Sequence, residues 1–467
     1  MDNNFGLPLV APKVAPILDP AFRPAVLANR AFRLQVQACR KAIELGLALE
    51  QADGSVSQFH TQILPEEHAN AFANFFYVER ILKFLLWSRG GFRVHIQGPA
   101  RLVQQLAVHY RQNPLGKFDS EVVGRRIYDH ELEIVECQHL PAERHNTAPL
   151  GRHFNGCRIG FDLGGSDRKV AAVIDGQVVF SDETVWDPYF QPDPQYHYEG
   201  IMDSLRKAAA HLPRVDAIGG SAAGVYVNNR VKVASLFRGV PQEAFNRRVR
   251  DLFFEIKQAW NNVPLEVVND GEVTALAGAM SLERNRVLGI SLGTSTAGGY
   301  VNAEGNITSW LNELAFVPID YSATAPKDEW SGDYGCGVQY FSQQCVPRLL
   351  GPAQIDLDPK LPLPEQLKRV QQLMDKGDDR ARGIYQAIGV YLGYGIAHFT
   401  DFYDLESVLI LGRVTSGPGG DIIITTAKQV LQEQFSELLS QISFHIPSEK
   451  ERRHGQAVAA ASLPDVR

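Results

Sequence analysis

The sequence predicts an α/β protein of more than one domain, and three observations carry that expectation. Apolar strands repeatedly end on Asp and Gly and then turn, as at Ile159–Gly165 and Val287–Gly299. Two further strands run into helical patterns, at Leu265–Met280 and Leu405–Thr425. With 467 residues, 45% of them hydrophobic and 21% charged, the chain suits two or three globular domains and is unlike a disordered or fibrous one.

In chain order, residues 1 to about 20 hold several prolines and no periodicity. A helix is expected from Asn29 to Leu49, with Phe32, Val36, Cys39 and Ile43 at near-helical spacing. From Leu47 a hairpin follows through Asp53-Gly54 into Val56–Leu64, because Asp-Gly between alternating segments favours a tight primed turn. Ala69–Trp87 reads as a helix, Phe92–Gln97 as a strand, Ala100–Tyr110 as a helix and Arg126–Glu136 as a strand. This α+β segment of unassigned role, structural or lid-like, ends in a polar, proline-flanked linker at Pro141–Pro149. Domains are therefore expected over 1–150, 151–275 and 276–467.

The chemistry lies beyond residue 150. Ile159–Phe161 ends on Asp162 and then Gly164-Gly165. Such a stretch also reads as a plain hairpin turn. Its functional reading is a backbone that approaches a phosphate with its amides, beside a carboxylate that holds Mg²⁺ through water. The strand Leu265–Val268 ends on Asn269-Asp270, where a helix begins. Asp270 reads equally as a helix cap or as the base that takes a proton from a substrate hydroxyl during phosphoryl transfer. Gly293–Gly299 is a turn of small residues and hydroxyls that suits a second phosphate. Leu405–Leu411 ends on Gly412 and a loop before a helix expected from Thr425, the kind of junction where ligands meet the carboxyl end of a sheet.

Several classes are disfavoured. The net charge of −7, and 16 Lys and Arg against 15 Asp and Glu in residues 1–150, offer no basic footprint for nucleic acid, and no basic recognition helix is apparent. No apolar run has membrane-spanning length and no signal pattern opens the chain, so a cytoplasmic protein is expected. Five scattered cysteines fit reduced thiols.

Taken in order, these stretches give residues 157–467 a resemblance to the ROK family of repressors and sugar kinases, in the actin-like ATPase superfamily. The matching residues are Asp162, Gly164, Gly165 and Ser166; Gly219–Gly224; Asn269-Asp270; Gly293–Gly299; Leu411-Gly412; and Gly332–Cys336. The resemblance implies two actin-like (ribonuclease H-like) α/β domains around a cleft that holds ATP and Mg²⁺ and closes on a sugar. It implies Asp270 as base, Asp162 beside the metal, Gly293 and Thr294 at the phosphates, and Gly220, Ser235, Asn269 and Glu313 at the acceptor. A homodimer is expected on the family's habit alone.

The departures concern the sugar. The family's Gly-Glu-x-Gly-His element reads Asn312–Phe316, which keeps Glu313 and puts Phe316 where a histidine is usual. The zinc element reads Glu329–Cys336 with one cysteine, so no zinc is expected and Cys336 is expected in the core. Val338 replaces a sugar-binding glutamate, Ser235 an asparagine and Arg413 a glycine of the adenine loop. His60, His68 or Arg93 of the N-terminal segment are candidates to replace the missing contacts. The leading expectation is an ATP-dependent kinase acting on a sugar or sugar-like polyol. A catalytically silent sugar or nucleotide sensor or scaffold comes second and a repressor third.

Overall fold

The computed structural model of the chain describes residues 6–145, 149–446 and 449–466, with the side chains of residues 449–454 left aside. Part of the expected linker, residues 146–148, lies outside this set.

The N-terminal segment contains α1 (Ala25–Gln37), β1 (Ile43–Glu50), β2 (Val56–Ile63), α2 (Ala73–Ser88), β3 (Arg93–Gln97), α3 (Ala100–Gln112) and β4 (Glu133–Glu136). The strands form a four-stranded sheet in the order β2-β1-β3-β4. The Asp53-Gly54 hairpin forms as expected, with Ile43 opposite Ile63 and Glu50 opposite Val56. Two expectations are corrected. The first helix stops at Gln37 and Ile43 opens a strand, because Ile43 also fits the period of two that buries Leu45, Leu47 and Leu49. The strand expected from Arg126 begins only at Glu133, after a wide π-helical stretch over Ser120–Ile127 that buries Val122, Val123 and Ile127.

The first lobe is built from β5 (Cys157–Leu163), β6 (Asp167–Ile174), β7 (Gln177–Val185), α4 (Pro194–Ala209), β8 (Ala217–Ala222), β9 (Val225–Val227), β10 (Arg230–Val233), α5 (Leu252–Ala259) and β11 (Leu265–Asn269). Its five-stranded sheet runs β11-β8-β5-β6-β7, parallel through β11, β8 and β5 and antiparallel through β5, β6 and β7. After α6 (Asp270–Ser281), the second lobe follows with β12 (Val287–Leu292), β13 (Thr296–Val301), α7 (Asp379–Phe399), β14 (Ser407–Leu411), α8 (Pro418–Gln434) and β15 (Ser443–His445), its sheet ordered β13-β12-β14-β15. Helix α8 starts at Pro418, not at Thr425, since proline is suited to a helix's first turn.

The last helix, α9 (Glu449–Ala461), returns to the first lobe's sheet. Gly160 and Gly219 are register partners in β5 and β8, and a Cβ on them would meet the carbonyl oxygens of Ala457 at 1.8 Å and Ala460 at 1.6 Å. Their missing side chains let the helix lie directly on the sheet.

The N-terminal segment shares one hydrophobic core with the second lobe, joining Phe22, Phe32, Phe84 and Trp87 to Phe316, Tyr391 and Phe402. Phe84 and Phe402 stack with ring centres 3.8 Å apart. Backbone bonds seal the seam: the Ala25 amide donates to the Ile319 carbonyl at 2.8 Å and the Tyr321 amide to the Arg23 carbonyl at 2.9 Å. The first lobe keeps its own core around Ile159, Phe161, Leu205 and Phe253.

Candidate active site

Strand β5 sets the first part of the site through register alone. Asp162 lies opposite Lys169 of β6 and beside Ser221 of β8. Directly opposed residues share a face, so hydroxyl, carboxylate and ammonium line up across three strands. Ser221 Oγ donates to Asp162 Oδ1 at 2.6 Å, while Lys169 Nζ stands 3.8 Å from Asp162 Oδ2 and 3.0 Å from Asp167 Oδ1. Burial raises the Asp162 pKa above the ordinary value, against the pull of Ser221 and Lys169.

Strand β11 delivers the second carboxylate. Asn269 caps α6, its Oδ1 accepting from the Gly271 amide at 2.7 Å while its Nδ2 donates to the Gly224 carbonyl at 2.6 Å. Asn269 is thus the N-cap, and Asp270 is the first helical residue, its carboxyl lining the cleft while Oδ1 also accepts from the Gly271 amide at 3.0 Å. Enclosure, and then the nearby negative charge of Asp162, push Asp270 up to about 6. Glu313, on the facing wall, is pushed up to about 8 by burial and by Asp270.

Asp270 and Glu313 line one cleft of about 550 Å³, whereas the expected Asp162, with Lys169 and Ser221, lies outside its lining. The cleft brings together the expected Ser235, Asn269, Asp270, Gly293, Thr294 and Glu313. Thr294 and Ser295 are exposed, and a Cβ on Gly293 would meet nothing nearer than 3.6 Å, so the turn after β12 is an open cradle. Gly412, at φ +100°, abuts the Leu292 carbonyl that immediately precedes that cradle.

Other expected residues fall outside this cavity's lining. Gly220 lies within β8 facing the Phe161 ring, and Gly224 borders the cleft in its place. Gly164, Gly165 and Ser166 form the turn beyond Asp162, with the Tyr189 hydroxyl over Gly165 and Ser166 Oγ donating to Asp167 at 2.8 Å. Arg413 is exposed and its carbonyl accepts from Gln371 at 2.9 Å.

The N-terminal segment does reach the cleft, but through apolar groups. Trp87, Val122 and Ile127 line it, beside Phe316, Trp330 and Val338. His60, His68 and Arg93 do not: His60 meets Gln58, His68 accepts from the Asn70 amide, and Arg93 pairs with Glu133 and Glu50. Phe316 packs in an aromatic cluster, 4.2 Å from Trp87, 5.6 Å from Phe118 and 5.5 Å from Trp330 between ring centres. No motif marks such a wall in the sequence. Lys169 and Ser221 were also missed, although the register of β5 with its neighbours was the signal that would have found them.

The loop matching the zinc element is held by charge. Arg80 and Lys83 of α2 each reach Asp333 Oδ2 at 2.8 Å, Lys83 also lies 3.3 Å from Asp119, and Arg80 pairs with Glu79. Burial raises the Asp333 carboxyl, and Arg80 and Lys83 overcome this to hold it far below the usual carboxylate range. Asp328 accepts from both the amide and the hydroxyl of Ser331 at 2.6 Å. Cys336 is fully buried and its thiol is pushed up to about 12, as a core residue's would be. Among the described residues no cluster of His, Cys, Asp or Glu suits a metal ion, and no helix is long and apolar enough to cross a membrane.

The ROK hexokinase of Thermus thermophilus is similar to this chain with a TM-score of 0.50 and 18% identity, over 65% of this chain and 97% of that one. A ROK-family transcriptional regulator, a homologue of the E. coli Mlc protein, gives a TM-score of 0.51 and 19% identity over 66% of this chain and 78% of its own. No protein-family model and no curated protein matches the sequence. At such identities the likeness establishes the fold: the chain is a mixed α/β protein with the fold that ROK proteins share. That fold carries both an enzyme and a regulator, so activity has to be argued from the site.

Proposed function

We propose that the protein transfers a phosphoryl group from ATP to a hydroxyl of a sugar or sugar-like polyol, with Asp270 as general base. The observation that carries this reading is the Asp270 carboxyl, tuned to about 6 and set in one cleft with the Gly293-Thr294 cradle. A base with that value is mostly ionised at neutral pH and still basic enough to take a hydroxyl proton as the oxygen attacks.

The residues present fit the nucleotide and its metal. Gly293, Thr294 and Ser295 form an open turn able to receive phosphate oxygens, and Asp162 has Ser221 on Oδ1 and Lys169 at 3.8 Å from Oδ2. Asp162 is therefore the residue that would hold Mg²⁺ through water, with Ser221 fixing its orientation. When bound, ATP supplies the phosphoryl group and Mg²⁺ neutralises its charge. Glu313, neutral below about 8, offers the acceptor a hydrogen bond, and Ser235 offers a hydroxyl. Asn269 acts on the acceptor indirectly, since both ends of its amide are engaged in holding Asp270 at the helix start. The wall of Trp87, Phe316 and Trp330 receives the apolar face of the acceptor ring, in place of the absent histidine.

A second reading is a silent sensor with the same cleft. It is favoured by the apolar residues Phe316 and Val338 at positions where the resemblance expects sugar-binding groups. ADP release from ATP and Mg²⁺, measured across hexoses, N-acetyl-hexosamines, inositols and pentitols, separates the two. Turnover with one acceptor class that is lost in Asp270→Asn supports the kinase; saturable binding of an acceptor without turnover supports the sensor.

A further inference from the structure

A second cavity, of about 560 Å³, lies between the N-terminal segment and the first lobe and is lined by Arg125, Arg126, Lys232, Arg238 and Arg250, with Asp129 as the one carboxylate of its lining. The cations come from both bodies: Arg125 and Arg126 from the π-helical stretch, Lys232 from β10, and Arg238 and Arg250 from the segments that follow it.

Their existing partners do not use up this charge. Lys232 and Arg250 converge on a single oxygen, Asp129 Oδ2, held by a residue in the left-handed region at φ +62°. Glu131 and Glu121 pair with Arg125 and Arg126 but are outside the cavity lining. Arg238 has no carboxylate partner among the described residues; its guanidinium lies 4.1 Å from the ring centre of Tyr189 and 4.8 Å from that of Phe190. Lys232 is the buried member, its side chain 5% exposed, and it keeps further N–H donors beyond the one given to Asp129.

We propose that this cavity is a binding site for a phosphate monoester, such as a small phosphorylated sugar or polyol. A dianionic phosphoryl group has oxygens enough to accept from Lys232, Arg238 and Arg250 together, and multidentate guanidinium contacts are the geometry that phosphate favours. The cavity meets the candidate cleft at Val233, which lines both, and its Ala234 immediately precedes Ser235 of that cleft. Because the N-terminal segment is fused to the second lobe's core, an anion held here ties the two lobes together. Arg238 adds a second link, since the Tyr189 it stacks on covers Gly165 of the first phosphate turn. The site does not depend on catalysis in the neighbouring cleft.

The test is calorimetric titration of the full chain with glucose 6-phosphate, inorganic phosphate and glucose, repeated in Arg238→Gln, Lys232→Gln and Asp270→Asn. Glucose 6-phosphate is expected to bind, Arg238→Gln and Lys232→Gln to weaken it about tenfold or more, and Asp270→Asn to leave it unchanged. Equal binding of inorganic phosphate would assign the phosphoryl group alone as the ligand; much weaker binding would assign the ester. Arg238 is exposed and stacked, so its variant keeps the reading clear if Lys232→Gln is poorly folded. Absence of glucose 6-phosphate binding, or binding indifferent to Arg238→Gln, overturns the proposal. Loss of binding in Asp270→Asn alone would place the ligand in the catalytic cleft and overturn it equally.

Discussion

Lys83 Nζ lies 2.8 Å from Asp333 Oδ2, with the lysine side chain fully buried and the aspartate 4% exposed. Asp333 belongs to the loop that resembles the zinc element, and Lys83 belongs to a helix that precedes the ROK-like region altogether. The loop is thus fixed by two cations from the N-terminal segment, Arg80 and Lys83, converging on one carboxylate oxygen. The same helix supplies Trp87, against which Phe316 packs. The N-terminal segment therefore braces this side of the cleft both by charge, at Asp333, and by aromatic packing, at Phe316.

Lys83→Met is expected to lower stability by about 3–5 kcal/mol, because it leaves Asp119 and Asp333 as poorly compensated buried charges. Urea unfolding followed by circular dichroism measures it. The Asp333 pKa is depressed in the fold, so its stabilisation is present above the ordinary carboxylate value and lost as pH falls. Acid destabilisation should consequently be shallower in Lys83→Met than in the native chain. A change below about 1 kcal/mol would mean the pair nearly cancels its own desolvation.

The two raised carboxyls of the cleft predict a bell-shaped rate profile. In the proposed reaction Asp270 acts as base only when ionised, so kcat/KM should rise with pH through about 6. Glu313 should be protonated to donate, and its ionisation near 8 sets a second negative charge beside Asp270, so rate should fall above that value. Glu313→Gln retains an N–H donor and cannot ionise, and is expected to keep the acid limb while flattening the alkaline one. An alkaline limb that survives in Glu313→Gln assigns that titration elsewhere.

Glu272, two residues beyond Asp270 on the same helix, offers a test read in stability. It is buried under Asn312, whose amide donates to it at 3.0 Å, and burial pushes its carboxyl up to about 8. A raised folded pKa gives stability that is full below the unfolded value and lost as pH rises through the folded one. Glu272→Gln removes that loss, so the variant should gain on the native chain progressively between about pH 4.5 and 8, by on the order of 1 kcal/mol per pH unit. Parallel stability curves for the two chains across that range would refute the assignment.

Much of the ROK-like region was legible because its signals are local. A strand ending on Asp162 or Asn269, followed by Gly or a helix, declares itself in a few residues, and those junctions formed as read. In the N-terminal segment the Asp53-Gly54 hairpin, the helices near Ala73–Ser88 and Ala100–Gln112 and the strand Arg93–Gln97 are legible, while the first helix's end and the last strand's start are not. Ile43 satisfied both the helical and the strand period, and only its pairing with Ile63 decides between them. At the site, polarity singles out His60, His68 and Arg93 of the N-terminal segment, yet the cleft takes Trp87, Val122 and Ile127. Apolar residues look alike in sequence whether they fill a core or wall a ligand, and tertiary packing alone separates the two.

That shared packing leads to the last prediction. Phe22, Phe32, Phe84 and Trp87 are all buried in one core with Tyr391, Phe399 and Phe402 of the second lobe. A chain starting at residue 151 would expose the aromatic faces of α7 and leave Asp333 without either of its cations. An apolar surface of that extent drives association, and an unpaired buried carboxylate lowers stability further. The truncated chain is therefore expected to aggregate or to lack a cooperative thermal transition, whereas a separable accessory domain would leave a folded, soluble remainder. Scanning calorimetry and size-exclusion chromatography of residues 151–467 beside the full chain distinguish these outcomes. A sharp transition in a monodisperse truncated chain would show that the second lobe is self-sufficient and that the N-terminal core only adds to it.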